Sequence, residues 1–120
     1  MIRAIRGAIT VERNEKDAML AATERLLREM AEKNDIHPSK IVSILLSATA
    51  DLNACFPAAA SRNIAGWTHV PVMCMKEMDV PGALGKCIRV MMTVATERKQ
   101  DEIVHVYLEK AVQLRPDLQK

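Results

Sequence analysis

The sequence predicts a mixed α/β fold of the α+β kind: a five-stranded mixed sheet with two helices on one face, forming a single domain over residues 1–120. Three observations predict it. Apolar residues recur every four positions at Ala18, Ala22, Leu26 and Met30, the spacing of one helix face. Ile88, Val90, Met92 and Val94 alternate with Arg89, Met91 and Thr93, and Val104, Val106 and Leu108 alternate with His105, Tyr107 and Glu109, which is the period of a strand. The chain has 120 residues, a length that suits one domain burying roughly two thirds of its unfolded surface.

Taken in order, Ile2 to Thr10 mixes small and β-branched residues and reads as a first strand, interrupted by Arg3 and Arg6. Asn14 is placed as an N-cap, with Asp17 three residues on, for a helix running to about Asn34. His37-Pro38 stops it, because proline biases its predecessor away from helix. Ile41 to Ala48 is a short apolar run between polar turns and reads as a buried strand. Pro57 suits the first turn of a second, short helix through Ala65, with Gly66 placed to end it. Val70 to Met75 gives the third strand, and Glu77 to Lys86, with Pro81, Gly82 and Gly85, has the chemistry of a loop. Cys87 to Val94 and His105 to Val112 are the last two strands, expected to form a hairpin through the loop from Ala95 to Glu102. Two helices cover one face of five strands, so the other face must meet water or another subunit.

Composition narrows the partners. Aromatic residues make up 2% of the chain and methionines number eight, so aliphatic side chains and flexible thioethers must build the core. Seventeen Lys and Arg against fifteen Asp and Glu leave a net charge of +2, with no basic block or aromatic platform to hold nucleic acid. Cys55, Cys74 and Cys87 are odd in number and form no C-x-x-C pair, which argues against disulfides and structural zinc and points to a reducing cytoplasm. Neither a signal peptide nor a membrane span is expected, since no apolar run approaches about 18 residues.

The charged residues inside the strand-like runs carry the functional signal. A guanidinium within a strand core costs several kcal/mol unless acceptors meet it, so Arg89 calls for a partner: a carboxylate such as Glu109 or Glu77, or a bound anion. Tyr107 reads as a satisfied core tyrosine or as a donor, Glu77 as an ion-pair partner or a ligand contact, and Cys74 as a small buried hydrophobe. Catalytic templates fail elsewhere. Gly82-Ala83-Leu84-Gly85-Lys86 lacks the spacing of a phosphate loop, His37, His69 and His105 show no metal-ligand spacing, and a nucleophile pair of Cys74 with His69 or His105 has no supporting motif.

Several segments taken together resemble the monofunctional, AroH-class chorismate mutases. They are Ile5-Arg6-Gly7-Ala8, Leu46-Ser47-Ala48-Thr49, Phe56-Pro57-Ala58, Val70-Pro71-Val72 with Cys74-Met75, Glu77-Met78-Asp79-Val80, Cys87-Ile88-Arg89-Val90-Met91-Met92, and His105-Val106-Tyr107-Leu108-Glu109-Lys110-Ala111-Val112 through Leu114-Arg115-Pro116-Asp117-Leu118. The resemblance runs through nearly the whole chain in order. It implies a homotrimeric pseudo-α/β-barrel with active sites at subunit boundaries, and conversion of chorismate to prephenate on the route to phenylalanine and tyrosine. Chorismate is a dianion that rearranges by a concerted pericyclic shift, so neither cofactor nor metal is implied.

By position in the matching segments, the resemblance sets Arg89 against the ether oxygen and a carboxylate, Arg6 and Tyr107 at carboxylates, and Glu77 and Cys74 at the ring hydroxyl. Phe56, Ala58, Val72 and Leu114 match the pocket wall, and Arg62 and Arg115 match cations at its mouth. Ala59 and Met73 depart from the pattern, standing where the family carries a lysine and a threonine; Met73 still falls at a substrate-contacting position. The other reading is a non-catalytic trimeric sensor that binds a small carboxylate in the same clefts. Glu77 separates the two, since a simple anion sensor has no use for a carboxylate beside a dianion.

Overall fold

A computed structural model describes residues 1–115 of the chain. Five strands, β1 (Ile2–Thr10), β2 (Ile41–Ala48), β3 (Val72–Lys76), β4 (Cys87–Ala95) and β5 (Val106–Leu108), form one sheet in the order β3-β2-β4-β1-β5. β4 runs antiparallel to both β1 and β2, while β3 is parallel to β2 and β5 is parallel to β1. The five-stranded mixed sheet with a long helix packed on one face is as the sequence predicts.

The single long helix, α1 (Lys16–Glu32), buries Met19, Leu26, Leu27 and Met30 against Ile5, Ile9, Ile44, Leu46, Ile88, Val90, Met92 and Val94 of the sheet. This is where the alternation comes from, because one parity of each strand faces α1 and the other faces away. Gly7 lies under Met30 so closely that a Cβ there would collide with the thioether. The glycine leaves room for the Met30 thioether to lie flat against β1.

Four expectations are corrected. Asn14 does not cap α1, which starts after Glu15 with no side-chain cap. Its Oδ1 instead accepts the backbone N–H groups of Asn53 and Ala54, each at 3.0 Å, and its Nδ2 donates to Asn53 Oδ1, tying down the segment that leads to Phe56. The second helix is a 3-10 helix, Pro57–Asn63, with the Ser61 hydroxyl donating to the Ala58 carbonyl three residues back. Good helix propensity did not suffice in a segment too short to repay α-helix nucleation.

The expected hairpin is absent. β4 and β5 lie on opposite sides of β1 and do not touch as neighbours. The connection passes through a 3-10 turn at Gln100–Glu102 and delivers β5 to the free edge of β1, which sequence spacing alone does not distinguish from a return beside β4. The last strand is also shorter than His105 to Val112. Glu109 takes a positive φ of 55°, which ends pairing after Leu108, and Glu109–Leu114 continues as a 3-10 helix.

Candidate active site

The strand register assembles the cationic residues. Ala8 lies opposite Arg89 on one side and Tyr107 on the other, and Arg6 lies opposite Met91. Cross-strand partners share a face, as do residues two apart. Arg6, Arg89 and Tyr107 therefore stand on the face turned away from α1. Beneath them Ala8, Cys87 and Ala111 form a small buried cluster, with Tyr107, Leu84 and Leu114 packed against it.

Arg89 is not the core guanidinium that its strand suggests. Its side chain is 57% exposed, while that of Glu77 is 15% exposed and meets it at 3.6 Å between Oε1 and Nη1. Beyond the buried Cys87, the run to Val94 is core-like only in the parity that faces α1. Of the two carboxylates considered for Arg89, Glu109 instead pairs with Arg25 on α1 at 2.7 Å. Glu77 also accepts a hydrogen bond at Oε2 from the Ser47 hydroxyl, 2.8 Å away.

Arg6 is held through its backbone, whose N–H donates to His105 Nδ1 at 2.9 Å. His105 can accept only with that nitrogen unprotonated. Its pKa is lowered from the ordinary 6.5, first by burial and then by the charges of Arg6 and Arg115. The unfolded chain therefore takes up this proton more readily than the folded one, so the stability the group contributes is complete above its unfolded pKa and is lost as pH falls through the folded value. Urea midpoints measured downward from about pH 7.5 should drop once pH passes below roughly 6.5, and the drop should be shallower in His105→Gln.

The other half of the predicted set lines a cavity of about 1070 Å³ between α1, the Pro57–Asn63 turn and the β3 edge. Phe56, Ala58, Arg62, Val72, Met73 and Cys74 are in its wall, with Ala59. Val72 and Cys74 pack against the core on the α1 side, while Met73 and Met75 are exposed. The lining is mostly apolar, and among the described residues its charges are those of Lys16 and Arg62, with no carboxylate. Such a cavity suits an anion with a carbon skeleton.

The twelve predicted residues thus fall into two groups, one on the face away from α1 and one around the cavity, which Met73 lines from the Arg89 face across the β3 edge. Arg6, Glu77, Arg89, Tyr107 and Leu114 belong to the face away from α1, and Arg115 lies near His105 and Arg6. The remaining six line the cavity. Pro116, Asp117 and Leu118 lie outside the described residues. Cys74 and His105 are on opposite faces, so this nucleophile pair does not form. Cys87 is buried, and burial pushes its thiol up to about 11, away from thiolate chemistry. Sequence reasoning missed Lys16 and Ser47. The first looked like a solvated helix residue, and the second could be placed beside Glu77 only with the β2–β3 register in hand.

The comparisons with known proteins bear on the whole of this arrangement. A family model described as chorismate mutase type I matches residues 2–118. A chorismate mutase AroH of Bacillus subtilis is 59% identical over 118 residues, which cover 98% of this chain and 93% of the relative. A chorismate mutase AroH of Thermus thermophilus is 44% identical over 120 residues, covering 99% of this chain and 98% of that one. Among solved structures, a chorismate mutase from Clostridium thermocellum matches with a TM-score of 0.87 and 55% identity, over 90% of this chain and 96% of the other. Shared sequence from end to end and a shared sheet topology leave one assignment: the chain belongs to the type I chorismate mutase family.

Proposed function

We propose that this enzyme converts chorismate to prephenate in clefts where the cavity of one copy meets the cationic face of the next, in a homotrimer. One observation carries the reading. The residues the reaction calls for are split between two faces of each chain, so neither half makes a site alone. The face with Arg89 also exposes Leu45, Met73, Met75 and Met91, an apolar surface that a second copy would cover.

The rearrangement breaks an ether C–O bond as a C–C bond forms, within one molecule and with no proton transferred. The protein must select the compact conformer and oppose the negative charge that grows on the ether oxygen. Phe56, Ala58, Val72 and Leu114 wall the carbon skeleton into that conformer. Arg89 presents its planar fork to the ether oxygen and a carboxylate. Arg6 and Tyr107 receive carboxylates, while Glu77 and Cys74 meet the ring hydroxyl, and Arg62 and Arg115 draw the dianion to the mouth. A sensor would need the cations without Glu77.

Incubating the purified protein with chorismate tests this directly. The diene absorbance should fall, prephenate should be the product, and sedimentation should give three subunits. Turnover should show almost no solvent isotope effect and little change around neutral pH, since no proton moves in the reacting step. A large isotope effect would mean that a proton is in flight and would end the pericyclic reading.

A further inference from the structure

We propose that Ser47 is a positioning residue for the reaction, acting through Glu77; this rests on the site reading above. Glu77 follows β3, outside the sheet ladder, at the start of an irregular segment. Its backbone is therefore not fixed by strand pairing, yet among the described residues its carboxylate is the only acidic group in the candidate site. Three contacts orient it. The Ser47 hydroxyl donates to Oε2 at 2.8 Å, the Met78 N–H donates to Oε1 at 3.2 Å, and Arg89 Nη1 approaches Oε1 at 3.6 Å.

These contacts differ in what they can hold once substrate arrives. The Arg89 contact is longer than a charge-assisted hydrogen bond, and a substrate carboxylate would compete for the same guanidinium. The Met78 N–H belongs to the residue next along the same irregular segment and moves with it. Ser47 is on rigid scaffold: it sits in β2, opposite Arg89 in β4 and opposite Met75 in β3. Its Cα is thus fixed between β3, which leads to Glu77, and β4, which carries Arg89. By engaging Oε2 it leaves Oε1 turned toward Arg89 and the incoming ligand. Ser47 also lines the cavity, so the tether lies where the two groups of site residues approach each other.

The test compares Ser47→Thr with Ser47→Val, two side chains of nearly one shape that differ in the hydroxyl and that both suit a strand. The threonine variant should keep kcat within about threefold, and the valine variant should lose at least about tenfold, the scale of one hydrogen bond to a charged group. In a Glu77→Ala background the two should turn over equally, because the group they act on is gone. A purely structural role would give the same ratio in both backgrounds, and that result, or equal kcat in the two single variants, would overturn the proposal. If Glu77→Ala itself keeps full activity, the role given to Glu77 fails and Ser47's falls with it; a damaged Glu77→Ala enzyme with indifferent Ser47 variants would sink this inference alone.

Discussion

Arg89→Ala should lower kcat/KM at least about a hundredfold, the scale of removing one donor from a developing oxyanion, near 3 kcal/mol. The fold should survive it. Arg89 projects from the sheet with its side chain 57% exposed, and its contact with the largely buried Glu77 is a single approach at 3.6 Å, longer than a charge-assisted hydrogen bond. The Ser47 hydroxyl still satisfies Glu77 when the guanidinium is gone. Arg89→Lys should recover little of the loss, since a point-charge ammonium cannot reach an ether oxygen and a carboxylate together as a planar fork does. Steady-state kinetics with thermal melts decide it. Wild-type turnover in the alanine variant would remove Arg89 from the mechanism.

The second large effect is restoration by mixing. Phe56→Asp puts a carboxylate in the cavity wall, where a dianion should be repelled, and because Phe56 is 79% exposed on the chain the change leaves the core intact. Alone, each of Phe56→Asp and Arg89→Ala should be nearly inactive. If clefts form between copies, trimers reassembled from an equal mixture carry about a quarter of their sites with both halves intact, and activity should return to roughly that fraction. A mixture that stays dead would place both halves on one chain. Arg6 and Arg89 behave differently: the β1–β4 register puts them on the same face of one chain, so variants at these two positions should not rescue each other.

Much of the fold was legible because local patterns coincide with what the core requires. The four-residue spacing of Ala18, Ala22, Leu26 and Met30 and the parity of Ile88 through Val94 each report burial against a partner, and both elements appear where expected. What was not legible is long-range. No local signal distinguishes β5 returning beside β4 from β5 docking on β1, and the left-handed turn at Glu109 occupies a residue that gives no glycine warning. The candidate site shows the same division. Arg6, Glu77, Arg89 and Tyr107 were picked out by residue type and resemblance, but not the separation of Cys74 and Phe56 onto the opposite face. Whether a residue of an edge strand faces α1 or away depends on a register that only the folded sheet supplies.

The position of β1 between β4 and β5 carries a consequence for when the enzyme comes into being. The bond from the Arg6 N–H to His105 spans 99 positions, and Tyr107 reaches the same face only by pairing with Ala8. Links of such wide sequence separation form slowly and late, because a long closure must be completed before they return anything. A chain emerging from the ribosome thus releases Arg6 well before its anchoring partner. Until β5 docks on β1, Arg6 lacks its His105 anchor and the face lacks Tyr107, so the complete charged face forms only with that pairing.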